Sequence, residues 1–124
     1  MSDDLKILLV DDEPEFLEMT EKRLARRGFL VRIALNYRDA TPMIEEKWPD
    51  VIVLDVMLPD KDGISCLDEI KKNWPAAIVI MLSGHASQQT ALHSLDRGAC
   101  DYCLKPMDLD VLVEKIKIAH REQA

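Results

Sequence analysis

The chain has 124 residues, enough for one domain with a buried core. Its net charge of -7 argues against direct nucleic-acid binding, because contacts with phosphates need a basic patch. No apolar run approaches the roughly 18 residues that span a bilayer, and the first residues lack the features of a secretion signal. Three cysteines, an odd number, predict no disulfide framework, so we expect a cytoplasmic chain with no membrane contact.

The chain begins with a predicted strand, helix and strand. Residues 5–10 are a short apolar run typical of a buried parallel strand. A helix is predicted from Pro14, which suits a first helical turn, to Gly28, which suits a C-cap. Residues 29–34 form the second apolar run and are predicted as the second strand.

The next predicted helix contains a proline. Asn36 is a good N-cap, and the helical pattern is expected to end near Trp48. We expect Pro42 to kink or fray this helix, because proline removes one backbone hydrogen bond. The third strand is predicted over residues 51–54, and the turn-forming residues 57–63 predict a loop after it.

The remaining elements repeat the alternation. A helix is predicted over residues 64–73, a strand over residues 77–82 and a helix over residues 87–97. The final strand is predicted over residues 100–104. Asp108 is expected to cap a last helix that runs to His120. Five alternating strands and helices predict a parallel sheet with right-handed crossovers, covered by helices on both faces.

Polar side chains follow the apolar runs of four predicted strands. The carboxyl ends of parallel strands meet at one edge of a sheet, where ligands bind. We therefore expect three carboxylates, one hydroxyl and one ammonium to lie around one point: Asp11, Asp12, Asp55, Ser83 and Lys105. This set is suited to holding a divalent cation and a phosphoryl group.

Four motifs surround these residues. In chain order they are ILLVDDEP, VIVLDVMLPDKDG, VIMLSGHA and GACDYCLKP. Their order and spacing resemble the receiver domains of two-component response regulators, including the single-domain chemotaxis regulator. The resemblance extends from Leu5 to about His120. It implies a doubly wound α/β fold, a flavodoxin-like three-layer sandwich of five helices and a five-stranded parallel sheet in the order 2-1-3-4-5.

Asp55 is the expected site of phosphorylation. A carboxylate can attack phosphorus to give an acyl phosphate, and the transfer needs mainly positioning and charge neutralisation. The alternative is that Asp55 only ends a strand. The four other polar residues predicted at the same edge argue against that alternative.

A cation is expected beside Asp55, because crowded carboxylates repel one another and a bound cation relieves that repulsion. The resemblance implies Mg²⁺, with Mn²⁺ as an alternative. Its expected ligands are Asp12, Asp55 and the backbone carbonyl of Met57, with Asp11 bound directly or through water. The competing interpretation of the acidic pair is a solvated helix start, where acids are favoured.

Lys105 and Ser83 are expected to bind phosphoryl oxygens. The resemblance implies a cis peptide bond between Lys105 and Pro106 and places a switch aromatic at Tyr102. Inward movement of Ser83 on phosphorylation would free space for the Tyr102 ring to turn from exposed to buried. The alternative interpretations are that Lys105 is an ordinary surface lysine, that Ser83 is a turn serine, and that Tyr102 is an ordinary aromatic residue of a strand.

The resemblance also implies that the side chains of Met57 and His85 influence hydrolysis of the aspartyl phosphate. We predict that both act by controlling the access of water. The alternative for His85 is a solvent-facing loop histidine.

The last predicted helix carries apolar residues on two sides. The side expected to face the core has Leu109, Leu112, Val113, Ile116 and Ala119. Val111 and Ile118 fall on the opposite side; exposed single residues are normal, but a pair beside Tyr102 would make a docking surface. We hypothesise that the fourth helix, fifth strand and fifth helix form an output face for a homodimer or an output protein. The resemblance implies a sensor histidine kinase or phosphotransfer protein as the phosphoryl donor.

Residues 1–124 are expected to form a single receiver domain without an output domain, and to act as a switch rather than an enzyme. One alternative is a Mg²⁺-dependent phosphatase of the haloacid-dehalogenase type. Such phosphatases carry a second Asp two residues after the nucleophile, where this chain has Met57. The other alternative is a phosphorylation-independent binding module.

Cys100 and Cys103 form a C-x-x-C pair, but in a strand their offset places them on opposite faces, which disfavours zinc or redox chemistry.

Overall fold

A computed structural model describes residues 5–84 and 88–123. Strands and helices alternate along these residues, as the apolar runs predict. The bounds are β1 Lys6–Val10, α1 Pro14–Arg26, β2 Leu30–Ala34, α2 Tyr37–Glu45, β3 Val51–Asp55, α3 Gly63–Asn73, β4 Val79–Ser83, α4 Gln88–Asp96, β5 Asp101–Leu104 and α5 Leu109–Gln123. The predicted start of α4 at Ser87 lies outside the described residues.

The strands of the described residues form one parallel sheet in the order β2-β1-β3-β4-β5, which confirms the predicted topology. Val10 pairs with Leu54 of β3, and Ser83 pairs with Leu104 of β5. The carboxyl ends of β1, β3, β4 and β5 therefore lie side by side, and the residues that follow them share one edge of the sheet.

Helices cover both faces of the sheet and make it the middle of three layers. On one face, Leu9 of β1 shares a core with Leu24 of α1 and Ile116 of α5. On the other face, Leu8 of β1 packs with helices α2 and α3 through residues such as Ile70. Neighbouring residues of β1 are buried on opposite faces because side chains alternate along a strand.

Two helix ends differ from the prediction by three residues. Helix α2 ends at Glu45 rather than near Trp48, because Lys47 adopts a left-handed backbone conformation with φ of 59° that a helix cannot contain. Pro42 lies inside α2, which continues past it. Helix α5 continues to Gln123, three residues beyond the predicted end at His120.

The cysteines are all free. The predicted placement of Cys100 and Cys103 on opposite faces is wrong, since both pack against the core beneath α1 and α5. Strand β5 begins only at Asp101, so Cys100 does not follow the alternation of the strand. Among the helices of the described residues, none combines the length and the apolar character that crossing a membrane requires.

Candidate functional site

Three carboxylates meet at the carboxyl edge of the sheet. Asp11 directly follows β1, Asp12 comes next, and Asp55 is the last residue of β3. Each of the three offers a carboxylate oxygen, and these oxygens all lie within 4.8 Å of one another. Asp11 and Asp55 are buried and Asp12 is exposed, so the cluster is open to solvent on the side of Asp12.

Lys105, directly after β5, supplies the positive charge. Its Nζ lies 2.5 Å from Asp11 Oδ2 and 3.2 Å from Asp55 Oδ2. It also donates a hydrogen bond of 2.9 Å to Glu13 Oε1, and it lies 4.6 Å from the centre of the Phe16 ring. Burial lowers the pKa of Lys105, but its hydrogen bonds to Asp11 and Glu13 outweigh burial and raise the pKa, so the ammonium stays charged.

The three carboxylates carry more negative charge than the Lys105 ammonium neutralises, which favours the binding of a metal cation. Burial raises the pKa of Asp11 to about 6, and the negative charge of Asp55 adds to this increase. The hydrogen bonds from Lys105 and from the backbone N–H of Glu13 lower the pKa, but by less. Asp11 Oδ2 is buried and lies 2.5 Å from the Lys105 ammonium. A buried oxygen of this kind, beside two further carboxylates, suits the all-oxygen coordination of Mg²⁺.

The β3–α3 loop, residues 56–62, holds Asp55 in place. The backbone N–H of Met57 donates to Asp55 Oδ1 over 2.9 Å. The N–H of Gly63 donates to the carbonyl of Val56 over 2.8 Å, and Met57 pairs with Asp62 in an isolated antiparallel bridge. Met57 is 67% exposed, while its backbone N–H lies beside the Asp55 carboxylate.

The other predicted switch residues lie on β4 and β5. Ser83 is the buried last residue of β4, and its hydroxyl donates to the carbonyl of Gly84. Tyr102 is half-buried in β5 and packs against the core on the side of α2 and α3. The peptide bond between Lys105 and Pro106 is cis, as expected. His85 lies outside the described residues.

The output face predicted from α5 has the expected exposure pattern. Val111 is 45% exposed and Ile118 is 36% exposed, whereas Leu112 and Ile116 are fully buried. The ammonium of Lys115, also on α5, lies 5.9 Å from the Tyr102 ring centre. Helix α5 therefore exposes two apolar side chains, and one of its lysines lies near the half-buried Tyr102 of β5.

Two acidic residues near the site were not predicted. Glu13 contacts Lys105 although 92 residues separate them, and its position in an acidic helix start was the one sequence feature that pointed to it. Asp60 accepts hydrogen bonds from the backbone N–H groups of Tyr37 and Arg38, at the start of α2. The turn-forming residues around Asp60 predict a loop, but they do not predict which residues Asp60 contacts.

Two curated regulatory proteins are similar in sequence to this chain. Regulatory protein AtoC of Escherichia coli is 37% identical over 107 residues, which are 86% of this chain and 23% of AtoC. The DNA-binding transcriptional regulator NtrC of Proteus hauseri is 32% identical over 94% of this chain and 25% of NtrC. The chain thus spans about a quarter of the length of these curated relatives.

A solved structure gives the same result at the level of coordinates. The CheY-like response regulator receiver domain protein from Methanospirillum hungatei JF-1 has a TM-score of 0.89 and 34% identity, over 97% of this chain and 96% of that one. The family model described as the response regulator receiver domain matches residues 7–117. The chain therefore belongs to the response regulator receiver domain family, the phosphorylation-activated switches of two-component systems.

Proposed function

We propose that Asp55 is the residue that accepts the phosphoryl group, in a Mg²⁺-dependent reaction. The observation that carries the proposal is the approach of Asp11, Asp12 and Asp55 to within 4.8 Å of one another, with Lys105 Nζ 3.2 Å from Asp55. This arrangement holds a nucleophilic carboxylate between groups that can neutralise phosphoryl oxygens. We also propose that the chain forms one receiver domain, because a single sheet joins the strands of the described residues.

The chemistry is a single displacement at phosphorus. An oxygen of the Asp55 carboxylate forms a bond to phosphorus while the bond from phosphorus to the donor breaks, and the donor atom keeps the electron pair. For a phosphohistidine donor on a sensor kinase or phosphotransfer protein, that atom is an imidazole nitrogen. Lys105 neutralises charge on the phosphoryl oxygens. Mg²⁺ bound to Asp11, Asp12, Asp55 and the Met57 carbonyl would supply further neutralisation.

The phosphoryl group would also change what Lys105 and Ser83 contact. It replaces one negative charge with roughly -1.5 to -2 and adds acceptor oxygens at the end of β3. We propose that Lys105 and Ser83 turn toward these oxygens and that Tyr102, half-buried in the present structure, becomes more buried. The proposed readout is the surface of α4, β5 and α5, including Val111 and Ile118, which would bind a second copy or an output protein.

The phosphatase alternative lacks a proton donor at the required position. The residue two places after Asp55 is Met57, and a thioether cannot transfer a proton. We therefore propose that the chain modifies itself and turns over no phosphate ester. Release of phosphate from an ester by the purified chain at a steady rate would contradict this part of the proposal.

We further propose that the side chains of Met57 and His85 set the lifetime of the phosphorylated state by limiting the access of water to Asp55. The double variant Met57→Ala, His85→Ala keeps the Met57 carbonyl and is expected to lose its phosphoryl group severalfold faster. The decay is measured by intact mass spectrometry after the donor is removed. An unchanged decay rate would contradict this role.

The direct test is the mass of the intact chain after incubation with acetyl phosphate. With Mg²⁺ the wild type is expected to gain the mass of one phosphoryl group, and Asp55→Asn is expected to gain nothing. Asp96→Asn, which removes an exposed carboxylate at the end of α4, is the matched control and should label like the wild type. Labelling of Asp55→Asn, or full labelling of the wild type in EDTA, would contradict the proposal.

A further inference from the structure

We propose that Asp60 is a positioning residue that ties the β3–α3 loop to the start of α2 and thereby sets the affinity of the site for Mg²⁺. The inference rests on the proposed function, because it takes the Met57 carbonyl as a ligand. It adds a role for α2, a helix that contributes no residue to the acidic cluster.

The contact between the loop and α2 uses both oxygens of the Asp60 carboxylate. The N–H of Tyr37 donates to Oδ1 over 3.0 Å, and the N–H of Arg38 donates to Oδ2 over 2.9 Å. These are the first two residues of α2, whose N–H groups have no partner within the helix. Asn36 caps the next free N–H, that of Asp39, over 2.7 Å. Asp60 therefore completes a cap that the local sequence leaves unfinished.

A second set of contacts, made by Lys61, also joins the β3–α3 loop to α2. The Tyr37 hydroxyl donates to Glu69 Oε2 over 2.8 Å, and Glu69 Oε1 contacts the ammonium of Lys61. The Lys61 ammonium also lies 5.1 Å from the centre of the Tyr37 ring. Tyr37 is buried, so the loop, α2 and α3 are joined through a side chain that has little freedom to move.

The loop is short enough to transmit a displacement of Asp60 to the site. Only two residues separate Asp60 from Met57, whose N–H donates to Asp55 Oδ1. At the other end, Gly63 packs so closely that an added Cβ would lie 2.5 Å from Val56 Cα. The start of the loop is thus bonded to the Asp55 carboxylate, its end packs against Val56, and Asp60 bonds its middle to α2. Residues that orient metal ligands in this way commonly set metal affinity.

A cap that only stabilises α2 is the competing explanation. In that case the loss of the Asp60 carboxylate would weaken the fold but leave Mg²⁺ binding by the folded chain unchanged. Metal affinity and the exchange of the Met57 amide proton therefore separate the two explanations, whereas a melting temperature does not.

The test compares Asp60→Ala with Asp39→Ala. Asp39 has the same charge in the first turn of α2 and is exposed, so its removal matches the loss of charge near the helix start. We expect Asp60→Ala to raise the Kd for Mg²⁺ by about tenfold in calorimetry, and Asp39→Ala to change it by less than about twofold. In the metal-free chain, the Met57 amide proton should exchange faster in Asp60→Ala than in Asp39→Ala.

Asp60→Asn covers the case in which Asp60→Ala folds poorly. Its amide has one acceptor oxygen and can satisfy one of the two N–H groups, so an intermediate Kd is expected. Equal Mg²⁺ affinity and equal Met57 exchange in the wild type, Asp60→Asn and Asp39→Ala would overturn the inference and leave the proposed function intact. Absence of Mg²⁺ binding by the wild type would overturn both.

Discussion

Lys105 Nζ donates a hydrogen bond of 3.2 Å to Asp55 Oδ2, across 50 residues of sequence. The same ammonium lies 2.5 Å from Asp11 Oδ2, and the Lys105 side chain is only 17% exposed. Without a phosphoryl group, Lys105 therefore serves as an internal counterion for the carboxylates. We expect its positive charge to oppose the binding of a metal ion to the same carboxylates.

Lys105→Met should strengthen Mg²⁺ binding. It removes the ammonium and keeps an unbranched side chain, so the carboxylates lose their internal counterion. We expect the Kd for Mg²⁺ to fall by about tenfold, comparable to a shift of one unit in a neighbouring pKa. Calorimetry measures the change. Lys115→Met, which removes an ammonium paired with Asp101, is the control and should leave the Kd unchanged.

The same variant tests whether Lys105 competes with metal. Equal or weaker Mg²⁺ binding by Lys105→Met, with Lys115→Met at the wild-type value, would mean that the ammonium does not oppose the cation. The role of Lys105 would then be limited to binding the phosphoryl group.

The stability of the metal-free chain should depend on pH through Asp11. Burial raises the pKa of Asp11 to about 6 from a usual value of 3.8. The folded chain then binds more protons than the unfolded chain between these values. The contribution of Asp11 to stability is full below pH 4 and is lost as the pH rises through 6.

Urea unfolding in EDTA measures this dependence. Relative to Asp11→Asn, the free energy of unfolding of the wild type should fall by about 2–3 kcal/mol between pH 4 and pH 7. Adding Mg²⁺ at pH 7 should stabilise the wild type, because the metal binds the ionised carboxylate. A difference between the two proteins that stays flat or rises with pH would contradict the direction of the pKa shift.

Gly63→Ala should destabilise the fold. A Cβ at Gly63 would lie 2.5 Å from Val56 Cα and 2.8 Å from the Asp55 carbonyl oxygen, so backbone atoms would have to move. We expect a loss of about 2 kcal/mol in denaturant unfolding. Gly84→Ala is the matched control, because a Cβ there meets no atom within 4 Å among the described residues. Equal stability of the two variants would mean that the β3–α3 loop adjusts freely.

The pocket could be predicted from the sequence because it follows from topology. Apolar runs identify the strands, and a parallel sheet brings residues that follow distant strands, such as Asp11 and Lys105, to one edge. The contacts of Asp60 with α2 and of Glu13 with Lys105 follow from no such rule. They depend on how the loops fold after each strand, and single polar side chains in loops carry no periodic signal. The end of α2 was predicted wrongly because Lys47, which is not a glycine, gives no sequence signal for its left-handed backbone conformation.

The exposed apolar pair on α5 should control association of the phosphorylated chain. Val111→Lys with Ile118→Lys replaces this pair with like charges, which would repel across a symmetric interface. We expect the phosphorylated wild type to dimerise in sedimentation velocity and the double variant to remain monomeric. Met19→Lys with Ile33→Lys is the control, since Met19 and Ile33 are exposed apolar residues on α1 and β2.

Two outcomes would contradict a homodimer through this output face. Dimerisation of the α5 variant on phosphorylation would place the interface elsewhere on the molecule. A wild type that remains monomeric after full phosphorylation would remove the homodimer and leave an output protein as the partner of this face.

The position of the phosphoryl group tests the central claim most directly. Borohydride reduces an aspartyl phosphate to homoserine, so peptide mass spectrometry of the labelled, reduced chain identifies the residue that was modified. The account predicts homoserine in place of Asp55 and unmodified Asp11 and Asp12. Homoserine in place of Asp11 or Asp12, or a phosphoryl group that survives reduction on Ser83, would contradict it.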